Sequence, residues 1–458
     1  MSERFDAIVV GAGQAGPSLA ARLAGQGQSV ALIERKLLGG TCVNTGCTPT
    51  KAMVASAYVA HMARRSAEYG VRLTGPVNVD MAAVKARKDD VVHASRNGLN
   101  DWLSGTENLT LIQGHARFIS DHRITVGDRT LEAPRIFLNV GGRAAMPDYP
   151  GIDDIEILTN STILELTAAP RHLVVVGGGY IGLEFAQMFA RFGSKVSIVE
   201  RGPRLLKRED EDASQTVSDI LSNEGIDIRL NADCIAFAAS DNGPIVRIDC
   251  SDGATEIAGT HVLVAIGRQP NTDDLGLEAT GIKTDDRGYI VTNERLETLV
   301  QGVWALGDCN GRGAFTHTAF NDFEIVADNL EGGNRSVETR VDAYALYTDP
   351  PLGRAGMSLA KAQESGHRVL IGKRPMTRVS RAKEKGESKG YMKVIVDADR
   401  GTILGGAIFG VGGDEAIHVL LDAIQSGMAY TDLKRTMHIH PTVSELIPTI
   451  LAELEDAE

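Results

Sequence analysis

Phe5-Asp6-Ala7-Ile8-Val9-Val10-Gly11-Ala12-Gly13-Gln14-Ala15-Gly16 is a short apolar run that breaks into three glycines spaced G-x-G-x-x-G. Phe5 to Val10 reads as a buried strand. Pro17 to Ala24 reads as a helix, and Ser29-Val30-Ala31-Leu32-Ile33 as a second strand ending in Glu34. Strand, glycine turn, helix, strand and terminal acid, in that order, make a dinucleotide-binding fingerprint. Gly11 makes the tight turn, Gly13 lets the backbone approach a pyrophosphate, and Gly16 lets the helix pack close to the strand. The pyrophosphate then sits on the helix N-terminus, and Glu34 accepts from ribose hydroxyls.

The pattern returns further on. Leu173 to Val176 reads as a strand, Gly177-Gly178-Gly179-Tyr180-Ile181-Gly182 as a second glycine turn, Leu183 to Phe192 as a helix, and Lys195 to Val199 as a strand ending in Glu200. Two fingerprints imply two dinucleotides. Between them, residues 52–110 read as mainly helical, residues 109–140 alternate in short strand-like pieces, and Asn139 to Arg143 with Pro147 to Pro150 reads as a crossing. Val262 to Asn271, which includes Gly267, reads as a strand and the return crossing. Gly302-Val303-Trp304-Ala305-Leu306-Gly307-Asp308 is another strand, and its Asp308 suits a ribityl or ribose hydroxyl. From about Val341 the composition changes: Tyr391 to Val396 and Ile403 to Ile408 read as sheet, and Ala416 to Ser426 as a helix.

The chemistry is carried by Gly39-Gly40-Thr41-Cys42-Val43-Asn44-Thr45-Gly46-Cys47-Thr48-Pro49-Thr50-Lys51. A regular helix would hold Cys42 and Cys47 about 8–9 Å apart at Cα, and a disulfide needs less than about 7 Å. If they pair, the segment between them bends, for which Asn44, Thr45 and Gly46 are suited. Thr48 reads as a helix cap and Pro49 as a first-turn residue, which leaves Cys47 at a helix N-terminus where a thiolate is favoured. Such a pair reads as redox-active. The alternatives are two unconnected buried cysteines or half of a metal site, and Cys234, Cys250 and Cys309 offer no second pair for a metal. Near the end, His440 precedes Pro441, read as a helix start, and Glu445 follows five residues later. The two form an acid–base dyad if the ring sits over that helix start.

Bulk properties bound the rest. The 458 residues carry a net charge of -13, with five cysteines. An acidic balance without basic runs argues against nucleic acid and anionic membranes as partners, and no apolar run approaches the roughly 20 residues of a membrane span. Too few cysteines for a secreted framework and a start without a signal-like segment lead us to expect a cytoplasmic enzyme.

With these motifs in order, the chain resembles the class I pyridine nucleotide-disulfide oxidoreductases over essentially its whole length, a group that includes dihydrolipoamide dehydrogenase, glutathione reductase and mercuric reductase. The resemblance implies an α/β fold with two Rossmann-type domains, for FAD and NAD(P), and a C-terminal α+β dimerisation domain. It divides the chain into an FAD domain (1–147), an NAD(P) domain (148–270), a central domain completing the FAD site (271–340) and an interface domain (341–458). It implies a homodimer in which His440 of one subunit faces the cysteine pair of the other. It further implies hydride transfer from NAD(P)H through FAD to a Cys42–Cys47 disulfide and on to a small-molecule or protein disulfide, with Cys47 beside the flavin and Cys42 attacking substrate. Lys51 would pair with Glu184 near the flavin, Thr41 and Gly267 would join the cofactor-binding residues, and Tyr180 resembles the tyrosine that covers the nicotinamide site in glutathione reductase. No resident metal is implied.

Glu200 favours NADH by repelling a 2′-phosphate, whereas Arg201, Arg204, Lys207 and Arg208 would accommodate NADPH if their loop folds back. The surroundings of the cysteines and the run Gly307 to Thr318 look most like proteins grouped with mercuric reductase. The chain departs from those enzymes by ending in Leu454-Glu455-Asp456-Ala457-Glu458 without a cysteine pair, and by carrying His440. Disulfide reduction is therefore the leading expectation, and a mercuric reductase-like metal-ion or quinone reductase the alternative.

Overall fold

A computed structural model of the chain describes residues 2–232, 234–248 and 256–457. Cys250 lies outside the described residues.

Two five-stranded, all-parallel sheets dominate. The first has the order 303–305, 136–138, 7–10, 30–34, 109–113, and the second 157–158, 261–264, 172–176, 195–199, 227–229. Strands buried on both faces must be apolar throughout. Ala7–Val10 and the apolar part of His172–Val176 are accordingly no more than 5% exposed. The outgoing and returning crossings pair with each other, Gly142–Ala144 lying antiparallel to Arg268–Pro270. The C-terminal part is a six-stranded antiparallel sheet with helices on it, in the order 343–346, 352–356, 403–409, 391–397, 369–375, 455–456. The fold is thus α/β with two Rossmann-type units and an α+β C-terminal domain.

Two helices set the site. Cys47–Arg65 and Tyr180–Phe192 share one apolar cluster in which Met53 and Ala57 meet Leu183 and Ala186. Burial of each large side chain there is worth about 1.5–3 kcal/mol, which holds the first turn of the cysteine helix against the first turn of the second nucleotide helix. Among the described residues no helix is long and apolar enough to cross a membrane.

Two sequence-based readings of helix starts are corrected. The cysteine helix begins at Cys47 with Gly46 as its cap, so Thr48 sits inside the first turn. Pro441 does not start a helix either. It follows His440 through a cis peptide bond, and the next regular turn is the 3-10 segment Ser444–Leu446, leading to Ile447–Ile450 with Pro448 in its first turn.

Candidate active site

Each glycine turn is built by exclusion of a Cβ. Gly11 has φ +102° and Gly177 φ +115°. A Cβ on Gly16 would lie 2.1 Å from the Gly11 carbonyl oxygen, and one on Gly182 2.3 Å from that of Gly177. At Gly179 the space ahead of the backbone is open. The terminal acids brace their own turns: Glu34 accepts from the Ala12 N–H at 2.9 Å and Glu200 from those of Gly178 and Gly202, both at 2.7 Å.

Between the turns the chain folds tightly. Gly40–Thr45 is a short helix whose Asn44 amide donates back to the carbonyls of Leu38 (2.8 Å) and Gly40 (2.9 Å). Asn160 donates to the Thr45 carbonyl at 2.9 Å. The chain breaks at Gly46 (φ -137°, ψ -117°), where a Cβ would meet the Thr41 carbonyl at 2.8 Å. The next helix then starts on Cys47. This break brings the two sulfurs within hydrogen-bond reach of each other, with neither in a disulfide. The hydrogen bond from Cys42 lowers the Cys47 thiol to about 6, assisted by Thr316 and by the positive charge of Lys51. The same bond raises the Cys42 thiol, and its burial adds to the rise. The pair therefore loses its first proton from Cys47. The Thr316 hydroxyl lies 3.2 Å from Cys47 Sγ.

One turn along the cysteine helix, Lys51 Nζ lies 2.7 Å from Glu184 Oε2, while Glu184 Oε1 accepts from the Tyr347 N–H at 2.9 Å. Lys51 also stands 4.5 Å over the Tyr347 ring. A single cavity of about 1850 Å³ runs from Gly13 and Glu34 past Asp308, Cys47 and Lys51 to Gly179 and Glu200. That is well above the roughly 300–1,000 Å³ of a pocket for one small ligand. Thr41, Tyr180, Gly267 and Cys42 line it too. Asp308 accepts from Arg268 Nε at 3.3 Å, and burial raises its carboxyl above the ordinary carboxylate range.

His440 stands elsewhere. Its Nδ1 is 2.9 Å from Glu445 Oε2, so the dyad forms, but the ring is 75% exposed and does not line the cavity. Its neighbours Met437 and Ile439 are 95% and 81% exposed. Among the described residues, no group of three or more His, Cys, Asp or Glu side chains is arranged to hold a metal ion.

Sequence reasoning missed three contributors. Buried Asn139 accepts from the Gly16 N–H at 3.0 Å and donates to the Leu306 carbonyl at 3.0 Å, tying the first turn to the strand before Asp308. Its place at the end of an apolar strand was the available signal. Thr316 beside Cys47, and Glu209, which accepts from the Tyr180 hydroxyl at 2.6 Å, reach the site only through long-range packing and left no local signature.

The paired glycine turns, the cysteine that starts its helix and the Lys51–Glu184 bridge define a nucleotide-linked dithiol site. Residues 5–322 match the family described as pyridine nucleotide-disulphide oxidoreductase and residues 343–450 its dimerisation domain, and the chain belongs to this family. Such proteins are flavoenzymes that use FAD and a pyridine nucleotide to act on sulfur groups. Among relatives, the chain is 36% identical to the probable pyridine nucleotide-disulfide oxidoreductase RclA of Escherichia coli, over 96% of this chain and 97% of that protein. It is 32% identical to the dihydrolipoyl dehydrogenase of Haloferax volcanii (96% and 94% covered) and 31% identical to the mercuric reductase of Streptomyces lividans (97% and 94%). The structure described as HOCl-induced flavoprotein disulfide reductase RclA superposes with a TM-score of 0.89 at 34% identity, covering 98% of this chain and 99% of that one. A Cu(II) complex of the same protein gives 0.90.

Proposed function

We propose that this flavoenzyme draws electrons from NADH, in preference to NADPH, and delivers them through a Cys42–Cys47 disulfide to a disulfide substrate, as a homodimer with its active site shared between subunits. The observation that carries this reading is the placement of the two cysteines: Cys47, at the start of its helix, and Cys42 line one cavity with the Lys51–Glu184 bridge and both glycine turns.

The cavity suits FAD on its first half. Gly11, Gly13 and Gly16 with the helix they start would hold the pyrophosphate, Glu34 the ribose, Asp308 the ribityl chain, with Thr41 and Lys51 alongside. Gly177, Gly179, Gly182, Glu200 and Gly267 would hold the nicotinamide nucleotide on the second half. When bound, FAD supplies a two-electron relay between nicotinamide and disulfide.

The chain's own groups do the rest. The hydrogen bond from Cys42, with Thr316, Lys51 and the helix N-terminus, holds Cys47 as a thiolate. Cys42, a reluctant thiol, needs a base before it can attack. His440 of the partner subunit fits that role, since Glu445 on Nδ1 leaves Nε2 free to take the proton. The Cys42 thiolate then attacks one substrate sulfur, forming a mixed disulfide, and the other sulfur leaves as a thiolate that takes the proton back from His440. Cys47 attacks the Cys42 sulfur, which releases the second product thiolate and re-forms the intramolecular disulfide. The bare, apolar flanks of His440 support a partner subunit there. The boundaries 1–147, 148–270, 271–340 and 341–458 are the division this reading uses.

The Glu200 carboxylate stays fixed by two N–H groups where a 2′-phosphate would sit, which favours NADH. Reduction of a soft metal ion is the second reading, favoured by the Cu(II) complex of the 34%-identical relative and by two thiols opening onto one cavity. Anaerobic titration with NADH and with NADPH, followed by turnover with lipoamide, glutathione disulfide, mixed disulfides, Hg(II) and Cu(II), decides between them. The leading reading expects NADH reduction and at least one disulfide that turns over faster than either metal. Turnover with metals alone would refute it.

A further inference from the structure

Glu184 and Gln187 stand one turn apart on the helix Tyr180–Phe192, and both reach the same stretch of the C-terminal domain. Glu184 Oε1 accepts from the Tyr347 N–H at 2.9 Å. Gln187 Oε1 accepts from the Asp349 N–H at 2.8 Å, and the Gln187 amide donates to the Asp349 carbonyl at 2.9 Å. The two helix residues are 6% and 3% exposed. Residues 347–349 follow the first strand of the C-terminal sheet, Ala343–Leu346. On the C-terminal side these three bonds are made by backbone groups. The place of the Tyr347 ring is therefore set before the ring itself contributes anything.

That ring meets the charge beside the reactive sulfur. Lys51 Nζ stands 4.5 Å over its centroid and 2.7 Å from Glu184 Oε2. Lys51 lies four residues after Cys47 on one helix, and residues four apart share a face. Its charge favours the Cys47 thiolate, as do Cys42 and Thr316. A lysine carries its charge on a flexible stem, and the Lys51 side chain is 34% exposed on the wall of the cavity. Glu184 alone leaves that stem free to turn about the shared contact, whereas the ring face adds a second attraction. Burial and the charges of Asp414, Glu184, Cys47 and Glu415 hold the Tyr347 phenol above its ordinary range, so the ring is neutral wherever Cys47 titrates.

We propose that Tyr347 is a positioning residue: its ring, placed by the C-terminal domain, holds the Lys51 ammonium against Glu184 and beside Cys47, so that the C-terminal domain sets the charge felt by the thiol pair. The inference rests on the reading of Cys47 as the thiolate of the redox pair. The Tyr347 hydroxyl takes no part. The requirement is for an electron-rich ring face, which phenylalanine also supplies and an aliphatic side chain does not.

Alkylation of the dithionite-reduced, FAD-loaded protein by iodoacetamide across a pH series reads the Cys47 midpoint. Tyr347→Phe keeps the ring and is expected to leave the midpoint where it is. Tyr347→Leu removes the ring and is expected to raise the midpoint by about half a pH unit, because a cation–π contact at a partly exposed site holds the ammonium by about threefold. In the Lys51→Met background the same Tyr347→Leu change is expected to add nothing, since the charge it positions is gone. Phenylalanine carrying one, two or three ring fluorines at position 347 covers the case in which leucine unsettles the fold. Fluorine draws electron density from the ring face at nearly constant size, so the midpoint should climb step by step. A Tyr347→Leu midpoint equal to that of the unaltered protein, a Tyr347→Phe shift as large as that of Tyr347→Leu, a shift that survives in Lys51→Met, or a flat fluorine series overturns the positioning role. If the unaltered protein shows no Cys47 step near pH 6, the thiolate reading itself fails and the positioning role falls with it.

Discussion

Thr316→Val isolates one donor to the reactive sulfur. Valine keeps the branched shape and removes the hydroxyl that lies 3.2 Å from Cys47 Sγ. Hydrogen bonds to charged groups are worth roughly 1.5–3 kcal/mol when well buried. Cys47 is exposed in the single chain, so the lower end applies, and 1.36 kcal/mol corresponds to one pKa unit. The hydroxyl favours the thiolate, so its loss raises the thiol. The Cys47 step should move from about 6 to about one unit higher. At pH 7 the thiolate fraction then falls from about nine-tenths to about one-half. The assay is alkylation of the dithionite-reduced protein by iodoacetamide across a pH series, with the modified peptide identified by mass spectrometry. The measured midpoint belongs to the coupled pair, and its displacement between variants is the quantity compared. An unmoved midpoint would show that Lys51, Cys42 and the helix start hold the thiolate without Thr316.

The remaining predictions concern other links in the same chain. His440→Gln should lower disulfide turnover by roughly 10²–10⁴-fold while anaerobic reduction by NADH, followed by stopped flow, keeps its rate; slowing of both would place His440 outside the proposed role. Glu200→Ala should raise the ratio of kcat/KM for NADPH to that for NADH, since it removes the charge that opposes a 2′-phosphate; an unchanged ratio would assign the choice to Arg201, Lys207 and Arg208. Gly16→Ala puts a Cβ 2.1 Å from the Gly11 carbonyl and should cost about 1–3 kcal/mol together with FAD retention. Gly25→Ala, at the end of the same helix with open space around it, should be neutral or stabilise by up to about 1 kcal/mol, both read by thermal unfolding.

Much of this site was legible from residues alone because its signals are local. Parallel strands buried on both faces leave unbroken apolar runs, as at Ala7–Val10 and Leu173–Val176, and the glycine spacing follows from carbonyls that leave no space for a Cβ. The cap of the cysteine helix was misassigned to Thr48 because Thr is a common cap. The deciding fact, the Thr41 carbonyl closing on Gly46, depends on how the preceding short helix packs. Pro441 misled for a similar reason: a proline suits a helix start, but the chain from 440 to 443 turns irregularly before the Ser444–Leu446 segment. Asn139 had only its place at the end of an apolar strand to mark it, and Thr316 and Glu209 could not be read at all, since Thr316 acts on a residue more than 100 positions away and Glu209 on partners split between nucleotide and C-terminal units.

The central claim is that electrons from the nicotinamide arrive on Cys42 and Cys47. The most direct measurement is the state of those two sulfurs before and after one equivalent of NADH is added anaerobically to the air-oxidised holoenzyme, read by alkylation and peptide mass. Neither residue should be alkylated before NADH and both should be afterwards, with Cys309 unreactive throughout. NADH consumed while Cys42 and Cys47 remain joined, or thiols that appear at other cysteines, would contradict it.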